Sequence, residues 1–234
     1  MKKILAFVAV AVTAVAMASA DPLLVGHGYF GVGLGSTVTD FTTTGDLVGA
    51  EKKWNFGSNL DFGAGIGVNI PFGGNFGIQP GVDFYVNNVG VNGSKNVSAF
   101  GTTYTNITDY TFNYLSIDIP VLFTIKVNKF NFAIGPYLSI PLGDVTETLT
   151  NIKILNNPYN DQSYKYPNRS AINFGATLGI GYEQRLGMGM LVFGGRYMHD
   201  FLPIEVKDSD SNVIARLWRG ALAIDVGYKI PLSF

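Results

Sequence analysis

Residues 60–86 alternate bulky apolar residues with small or polar ones on both sides of a Gly-Gly-Asn turn at 73–75. The apolar residues share one parity on each side of the turn: Leu60, Phe62, Ala64, Ile66, Val68, Ile70 and Phe72, then Phe76, Ile78, Pro80, Val82, Phe84 and Val86. Successive side chains of a strand point to opposite faces of the sheet. The pattern therefore predicts a β-hairpin with one apolar face and one small, polar face.

The bulky face of this hairpin is predicted to contact lipid. A water-soluble barrel would place its apolar residues inside and charged residues outside, whereas here the second face is mostly Gly, Asn and Asp. Such a face makes a poor exterior but fits a narrow, crowded interior. Each strand also exceeds the about 9–11 residues that a tilted strand needs to cross a bilayer.

The same alternation recurs along the chain and predicts eight strands, at about 25–38, 60–72, 76–86, 110–126, 130–142, 171–185, 190–199 and 219–234. Three connections are short, around 73–75, 127–129 and 186–189, and four are long and polar, at 40–57, 87–109, 143–170 and 200–217. An even strand number closes the sheet without a free edge. The prediction is an all-β fold: a closed, eight-stranded, antiparallel, up-and-down transmembrane β-barrel with three short periplasmic turns and four long extracellular loops.

The composition agrees with a spanning barrel. Charged residues make up 14% of the 234 residues, well below the about 25% of soluble proteins, and the mean hydropathy is +0.23. After the N-terminal segment, no stretch approaches the about 20 apolar residues of a spanning helix. The net charge of −1 gives no reason to expect a nucleic-acid partner, and the lack of cysteine excludes disulfides and a lipidated N-terminal Cys.

The N-terminus has the features of a secretory signal. Lys2 and Lys3 precede an apolar segment at 4–16, and Ala-Ser-Ala at 18–20 forms a small-residue cleavage site. An uncleaved anchor is disfavoured because the apolar segment is too short to span a membrane. We therefore expect export by the general secretory route and cleavage between Ala20 and Asp21, which leaves residues 21–234 as one barrel domain.

Charged residues of the lumen-facing parity balance one another. They are five acids and five bases: Asp61, Asp83, Asp118, Glu183 and Asp225, and Lys126, Arg185, Arg196, Arg219 and Lys229. An eight-stranded barrel is only wide enough for side chains to fill it, and buried charges must be paired. The sequence predicts an internal ion-pair network that plugs the barrel, with Arg196 and Asp225 as the favoured pair on adjacent strands. A gated ion path is the alternative, and it would require the network to open.

Three classes of function remain. The first is a non-catalytic membrane scaffold whose extracellular loops mediate surface contact or binding to an unidentified ligand. The second is a narrow passage for small or apolar solutes. The third is a lipid-modifying enzyme, which the sequence disfavours because the only histidines, His27 and His199, are interpreted as residues of the barrel rims. No metal-ligand spacing or phosphate-binding loop is present, so we expect no cofactor, metal or catalytic residue.

Several short motifs resemble the PorT-like, or outer membrane protein β-barrel domain, family of small barrels with OmpA/OmpX-like architecture. They are Tyr-Leu-Ser-Ile-Asp-Ile-Pro-Val-Leu at 114–122, Ile-Gly-Pro-Tyr at 134–137, Phe-Gly at 174–175, Gly-Ile-Gly-Tyr-Glu at 179–183 and Gly-Arg-Tyr at 195–197. The resemblance implies eight strands and an integral outer-membrane location in a Gram-negative-type envelope. It implies little about activity, because a fold hosts many functions.

The last strand is similar to the C-terminal signature that the outer-membrane barrel assembly machinery reads. The residues in phase are Tyr228, Ile230, Leu232 and Phe234. The resemblance implies periplasmic chaperones, that machinery and outer-membrane lipid as partners. We expect a monomer.

Overall fold

A computed structural model describes residues 22–33, 36–38, 53–54, 60–99, 102–150, 153–154, 157–158, 162–166, 172–207 and 213–232. The predicted signal segment, its cleavage site at Ala20 and Asp21, and Phe234 lie outside these residues. The described strands are β1 (Leu23–Gly33), β2 (Ser36–Val38), β3 (Lys53–Trp54), β4 (Leu60–Pro71), β5 (Phe76–Ala99), β6 (Thr102–Val127), β7 (Phe130–Thr150), β8 (Lys153–Ile154), β9 (Asn157–Pro158), β10 (Gln162–Tyr166), β11 (Asn173–Leu186), β12 (Gly189–Asp200), β13 (Ile204–Lys207), β14 (Val213–Trp218) and β15 (Gly220–Pro231).

Eight strands close into one antiparallel barrel, in the order β1, β4, β5, β6, β7, β11, β12 and β15, with β15 paired back to β1. This confirms the predicted fold. The three short turns lie at 73–75, 128–129 and 187–188, where Gly73, Gly74, Asn128 and Gly187 have positive φ angles. Glycine adopts such angles without steric cost, which accounts for its presence in two of these turns. Within the described residues, no helix is both long and apolar enough to span a membrane.

Most of the bulky apolar residues are exposed on the outside of the barrel, as their parity predicts, whereas Ile70 of β4 is fully buried. Phe62, Ile66, Val82 and Ile224 are 43%, 64%, 38% and 54% exposed. Their neighbours of the other parity, including Asp61, Asp83 and Ala223, are buried. The protein thus exposes its apolar surface and buries its polar one, which is the arrangement that a hydrocarbon surround stabilises.

Glycine on the inner face makes room for large side chains in a narrow bore. A Cβ atom on Gly63 would collide with the ring of Tyr29, and one on Gly65 would collide with the carboxylate of Asp83. The small residues that alternate along β4 are therefore required by what the neighbouring strands place inside the barrel.

Much of the extracellular side is β-structure, so the prediction of long loops there is wrong in part. Strands β5 and β6 pair as far as Ala99 and Thr102, across the predicted loop at 87–109, and β7 continues to Thr150. Beyond the membrane a strand no longer separates lipid from a lumen, so its sequence need not alternate. Runs of Thr, Ser and Asn in these strands therefore resemble loop sequence.

The predicted first strand also divides into two elements. β1 ends at Gly33, and β2 joins a second, four-stranded sheet in the order β13-β14-β2-β3. The predicted fourth loop thus supplies the β13–β14 hairpin. Strand β10, in the predicted third loop, pairs with the outer part of β7.

The β13–β14 hairpin packs against the extracellular parts of β5, β6 and β7. The apolar cluster between them, here called the cap core, consists of Val89, Phe112, Tyr114, Val145, Ile204, Val206 and Leu217, all at most 3% exposed. The cap core lies at the extracellular end of the barrel.

Candidate functional site

The barrel interior holds three groups of charged side chains, arranged from the outer mouth to the periplasmic mouth. Strand β15 and the residue before it contribute one side chain to each group. Arg219 immediately precedes the strand, Asp225 lies near its middle and Lys229 lies near its end. We call these groups the outer, middle and periplasmic layers. The charges of each layer have to be paired within the barrel, because they are buried and lipid surrounds the barrel wall.

The outer layer is centred on Arg219, which is 1% exposed. Its Nη1 atom lies 2.8 Å from Asp118 Oδ2, and its Nη2 atom lies 3.3 Å from Asp200 Oδ1. Nη1 also donates a hydrogen bond of 3.1 Å to Asn87 Oδ1. One buried guanidinium is therefore held between two buried carboxylates, the arrangement that offsets part of the cost of removing these charges from water.

The middle layer is centred on Arg196. Its Nη2 and Nε atoms donate to Asp225 Oδ2 at 2.6 and 3.1 Å, and its Nη1 atom lies 3.3 Å from Asp83 Oδ2. His27 Nε2 lies 3.0 Å from the other oxygen of Asp83. Arg196 and Asp225 are the pair that the sequence singled out.

Tyrosine rings link the outer and middle layers into a column. The guanidinium of Arg219 lies 5.0 Å from the ring centres of both Tyr137 and Tyr85. Tyr85 stacks on Tyr29 at 4.7 Å, and Tyr29 lies 4.5 Å from the guanidinium of Arg196. Desolvated contacts of a cation with an aromatic face contribute about 2 kcal/mol each, so the column adds to the ion pairs in filling the bore.

The periplasmic layer is a carboxylate shared by two lysines. Lys229 Nζ lies 2.7 Å from Glu183 Oε1, and Lys126 Nζ lies 2.7 Å from Glu183 Oε2. Lys229 is buried, whereas the Lys126 side chain is 45% exposed at the periplasmic mouth. The layer therefore ends the network at the water boundary.

Two of the ten residues expected in the network are placed differently. Asp61 is buried, but it accepts a 2.8 Å hydrogen bond from the backbone N–H of Asn88, and no described base pairs with it. Arg185 is exposed beyond the periplasmic layer and forms no ion pair with a described residue. Arg185 lies near the end of β11, where the strand leaves the membrane, so the alternation of side chains does not predict whether it is buried in the lumen.

Two residues join the network that the sequence analysis placed elsewhere. His27 was interpreted as a rim residue, which is wrong, because its side chain is buried in the middle layer. Asp200 was assigned to the fourth loop, which is also wrong, because it ends β12 fully buried in the outer layer. Extending the parity of Arg196 and Met198 by one more step would have found Asp200.

His199 and Asp200 lie on opposite faces of β12. The ring of His199 lies 6.3 Å from Tyr197 and 6.1 Å from Phe201, whereas Asp200 accepts hydrogen bonds from Asn173 and Tyr137 inside the barrel. The two residues are therefore not arranged as a catalytic pair. Among the described residues, no three His, Asp or Glu side chains are grouped to hold a metal ion.

The residues of the expected assembly signature lie at the end of the barrel wall. The hydroxyl of Tyr228 donates a 2.6 Å hydrogen bond to the carbonyl of Leu186 and accepts one of 3.1 Å from the N–H of Gly189, so it fixes the turn at 187–188. Ile230 is exposed on the lipid side, and the N–H of Leu232 donates to the carbonyl of Pro22.

A small cavity lies in the lumen between the middle and periplasmic layers. It has a volume of about 50 Å³ and is lined by Gln79, Leu122, Thr177, Arg196 and Lys229, among others. This is room for only a few water molecules. The charged layers lie on both sides of the cavity, and the cap core lies beyond the outer layer.

Glu147 lies in the extracellular part of β7, outside the membrane, and is buried beside the cap core. Its Oε2 atom accepts a 2.8 Å hydrogen bond from the hydroxyl of Tyr166, which itself packs against the cap core. Burial raises the pKa of the Glu147 carboxyl, and the hydrogen bond from Tyr166 opposes that effect. We therefore expect the stability of the cap core to depend on the protonation of the Glu147 carboxyl.

These features define an integral membrane β-barrel with a filled interior. The sequence profile of the family described as outer membrane protein beta-barrel domain matches residues 26–204, which is most of the chain. The chain therefore belongs to this family, and it is an integral outer-membrane protein. The narrower PorT-like assignment stays a prediction.

Several solved structures share the general architecture at low similarity. Ail of Yersinia pestis is 11% identical, with 90% of this chain and 99% of that chain covered and a TM-score of 0.39. The outer membrane protease OmpT of Escherichia coli is 11% identical, with coverage of 91% and 97% and a TM-score of 0.43. Neisserial surface protein A is 14% identical, with coverage of 88% and 95% and a TM-score of 0.36. Likenesses at this level carry no argument about function, and a comparison with curated proteins finds no significant match.

We predict that Arg219→Ala lowers the free energy of unfolding by about 3–5 kcal/mol, because it leaves Asp118 and Asp200 buried without a cation. The matched control is Arg216→Ala. Arg216 lies three residues earlier, is 43% exposed and is 3.5 Å from Glu205, so its loss should cost less than about 1 kcal/mol. Urea unfolding in phospholipid vesicles measures both, and equal losses would contradict the role given to Arg219.

We predict that the cap of the wild-type protein becomes less stable as the pH rises from the ordinary carboxyl pKa through the raised pKa of Glu147. As the pH rises, the Glu147 carboxyl loses its proton at a lower pH in the unfolded state than in the folded state. The folded cap core is therefore most stable on the acidic side of this range. Glu147→Gln keeps an acceptor for Tyr166 and should remove this dependence, with greater protection at neutral pH. Hydrogen exchange of the β13 amides, corrected for intrinsic rates, measures the effect.

The control for the pH prediction is Glu205→Gln. Glu205 is partly exposed and pairs with Lys207 at 3.1 Å, so its substitution should leave the pH dependence of the cap in place. A wild-type cap whose protection increased from mildly acidic to neutral pH would contradict the assignment to Glu147.

Proposed function

We propose that this protein is a non-catalytic membrane scaffold that presents extracellular β-structure for contact with a partner at the bacterial surface. One observation supports this above the others: the bore is filled by buried charged layers beneath a packed cap core. In a barrel built in this way, the membrane-spanning part serves as a rigid anchor, and the extracellular strands are the part that contacts the surroundings of the cell. Function then resides in the part that extends beyond the membrane.

The filled bore argues against transport. A passage along the barrel axis would have to separate Arg219 from Asp118 and Asp200 in surroundings of low dielectric constant, at a cost of several kcal/mol for each ion. The cap core would have to open as well, exposing residues such as Phe112 and Leu217 that are now at most 1% exposed. Both costs count against the alternative of a narrow channel.

The extracellular side extends well beyond the barrel wall. The last pair between β6 and β7 joins Asp109 to Thr150, yet β5 and β6 remain paired for seven further pairs, from Gly93 and Thr108 to Ala99 and Thr102. We call residues 93–99 and 102–108 the arm. At about 3.4 Å per residue, these seven pairs continue the hairpin about 24 Å past the last pair of β6 with β7. Such a projection favours contact with a partner outside the lipid layer.

The geometry lends no support to catalysis. Among the described residues, His27 is held by Asp83 in the middle layer, and His199 faces away from Asp200 on the other side of β12. A lipid-modifying site would require a histidine with a nucleophile and an orienting group within hydrogen-bond reach of one another.

The arm provides a direct test of the proposal. Asn92 and Asp109 are directly opposite each other, so residues 93–108 can be replaced by an Asn-Gly two-residue turn that suits a hairpin. We expect wild-type protein in nanodiscs to bind at least one member of a panel of purified extracellular-matrix proteins and envelope polysaccharides. The variant without the arm should lose that binding by tenfold or more and keep heat-modifiable migration in gels.

Two results would contradict this function. The first is a failure in the binding test: either the wild-type protein binds every member of the panel no better than empty nanodiscs do, or the variant without the arm binds as well as the wild type. The other is stepwise conductance above background when pure wild-type protein is inserted into planar bilayers, which would favour the channel alternative. Removal of the arm leaves the charged layers intact, so neither protein should conduct.

A further inference from the structure

A pocket of about 380 Å³ opens at the periplasmic end of the barrel, between the turns at 128–129 and 187–188. Its cationic lining consists of Lys126, Lys129 and Arg185, and its apolar lining consists of Met188, Met190 and Pro231. The N–H of Glu183 donates a 2.7 Å hydrogen bond to the carbonyl of Lys129, which fixes the two turns beside each other. The pocket is thus part of the barrel framework.

The pocket carries an excess of positive charge. Glu183 is the only acid of the lining, and it is already shared by Lys126 and Lys229. Lys129 Nζ lies 3.3 Å from the neutral amide oxygen of Gln184, and Arg185 is exposed without an ion pair to any described residue. The three cations and one acid of the lining give it a net charge of +2, and Lys229 neutralises part of the charge of that acid from inside the barrel, so the pocket suits an anion.

The apolar residues of the adjoining strands place the pocket at the level of the lipid headgroups. Phe130, Leu186, Leu191 and Ile230 are all exposed on the outer wall near this end. Tyr182 is also exposed there, and Lys129 Nζ lies 5.6 Å above its ring. Aromatic and long basic side chains concentrate where the hydrocarbon meets the headgroups, which here is the periplasmic leaflet.

We propose that this pocket binds the phosphate of an anionic phospholipid in the periplasmic leaflet. Both kinds of lining support a lipid: the cations match the phosphate, and Met188, which is 85% exposed, gives the glycerol and upper acyl chains an apolar contact. A free inorganic anion would use only the cations. Juxtamembrane basic side chains attract anionic lipids in this way.

The test counts lipids that stay bound to the purified barrel in native mass spectrometry, with phosphatidylglycerol and phosphatidylcholine as probes. We expect wild-type protein to retain phosphatidylglycerol in preference to phosphatidylcholine. The double variant Lys129→Gln/Arg185→Gln should weaken phosphatidylglycerol binding about 20-fold, since two cations near the headgroup are removed. It spares Lys126 and the periplasmic layer, so heat-modifiable migration should not change.

The matched control is Lys165→Gln/Lys207→Gln, which removes two positive charges from β10 and β13 at the opposite end of the protein and should change binding less than twofold. Equal weakening in both double variants, or equal retention of the two lipids by the wild type, would overturn the proposal. Displacement of phosphatidylglycerol by millimolar inorganic phosphate, with the same sensitivity to Lys129→Gln/Arg185→Gln, would assign the pocket to a free anion instead.

Discussion

Hydrocarbon offers no hydrogen bonds, so every polar group of a membrane-spanning chain has to find its partner within the protein. This constraint explains both sides of the barrel wall. The sheet must close, which β15 and β1 accomplish by pairing along the full length of β1. Bulky apolar residues such as Ile66 and Ile224 then face outward, and charged residues face inward, where each has to be matched.

Pairing every inward-facing charged side chain is demanding because the interior of an eight-stranded barrel is narrow. Arg219 and Arg196 are held by carboxylates from four strands, β5, β6, β12 and β15, and stacked tyrosines fill the space between them. The glycines of the inner face allow this filling, as Gly63 does for Tyr29. Side chains thus fill most of the barrel interior, and the proposed contacts with partners involve the cap core, the arm and the periplasmic pocket instead.

The lipid-facing and lumen-facing residues of the wall could be predicted from sequence, because the alternation of Phe62, Ile66 and Val82 follows directly from strand geometry. The partners across the bore could not, since they depend on which strands meet once the barrel closes, as when His27 and Arg196 both contact Asp83. The extracellular strands were missed for a different reason. Beyond residue 86 the apolar residues of β5 change parity, from Val82, Phe84 and Val86 to Val89, Val91 and Val97, so the lipid-facing pattern ends there although the strand continues.

The central claim is that hydrocarbon contacts the face carrying Ile66, Val82 and Ile224. The chain has no cysteine, so a nitroxide can be attached to a single introduced cysteine at each of these positions, with Ser163 on β10 as a water-exposed reference. In lipid vesicles, the three wall labels should be accessible to oxygen and shielded from a water-soluble nickel chelate, and the label at 163 should show the reverse. Wall labels that the nickel chelate reaches, or that neither reagent reaches, would contradict the account.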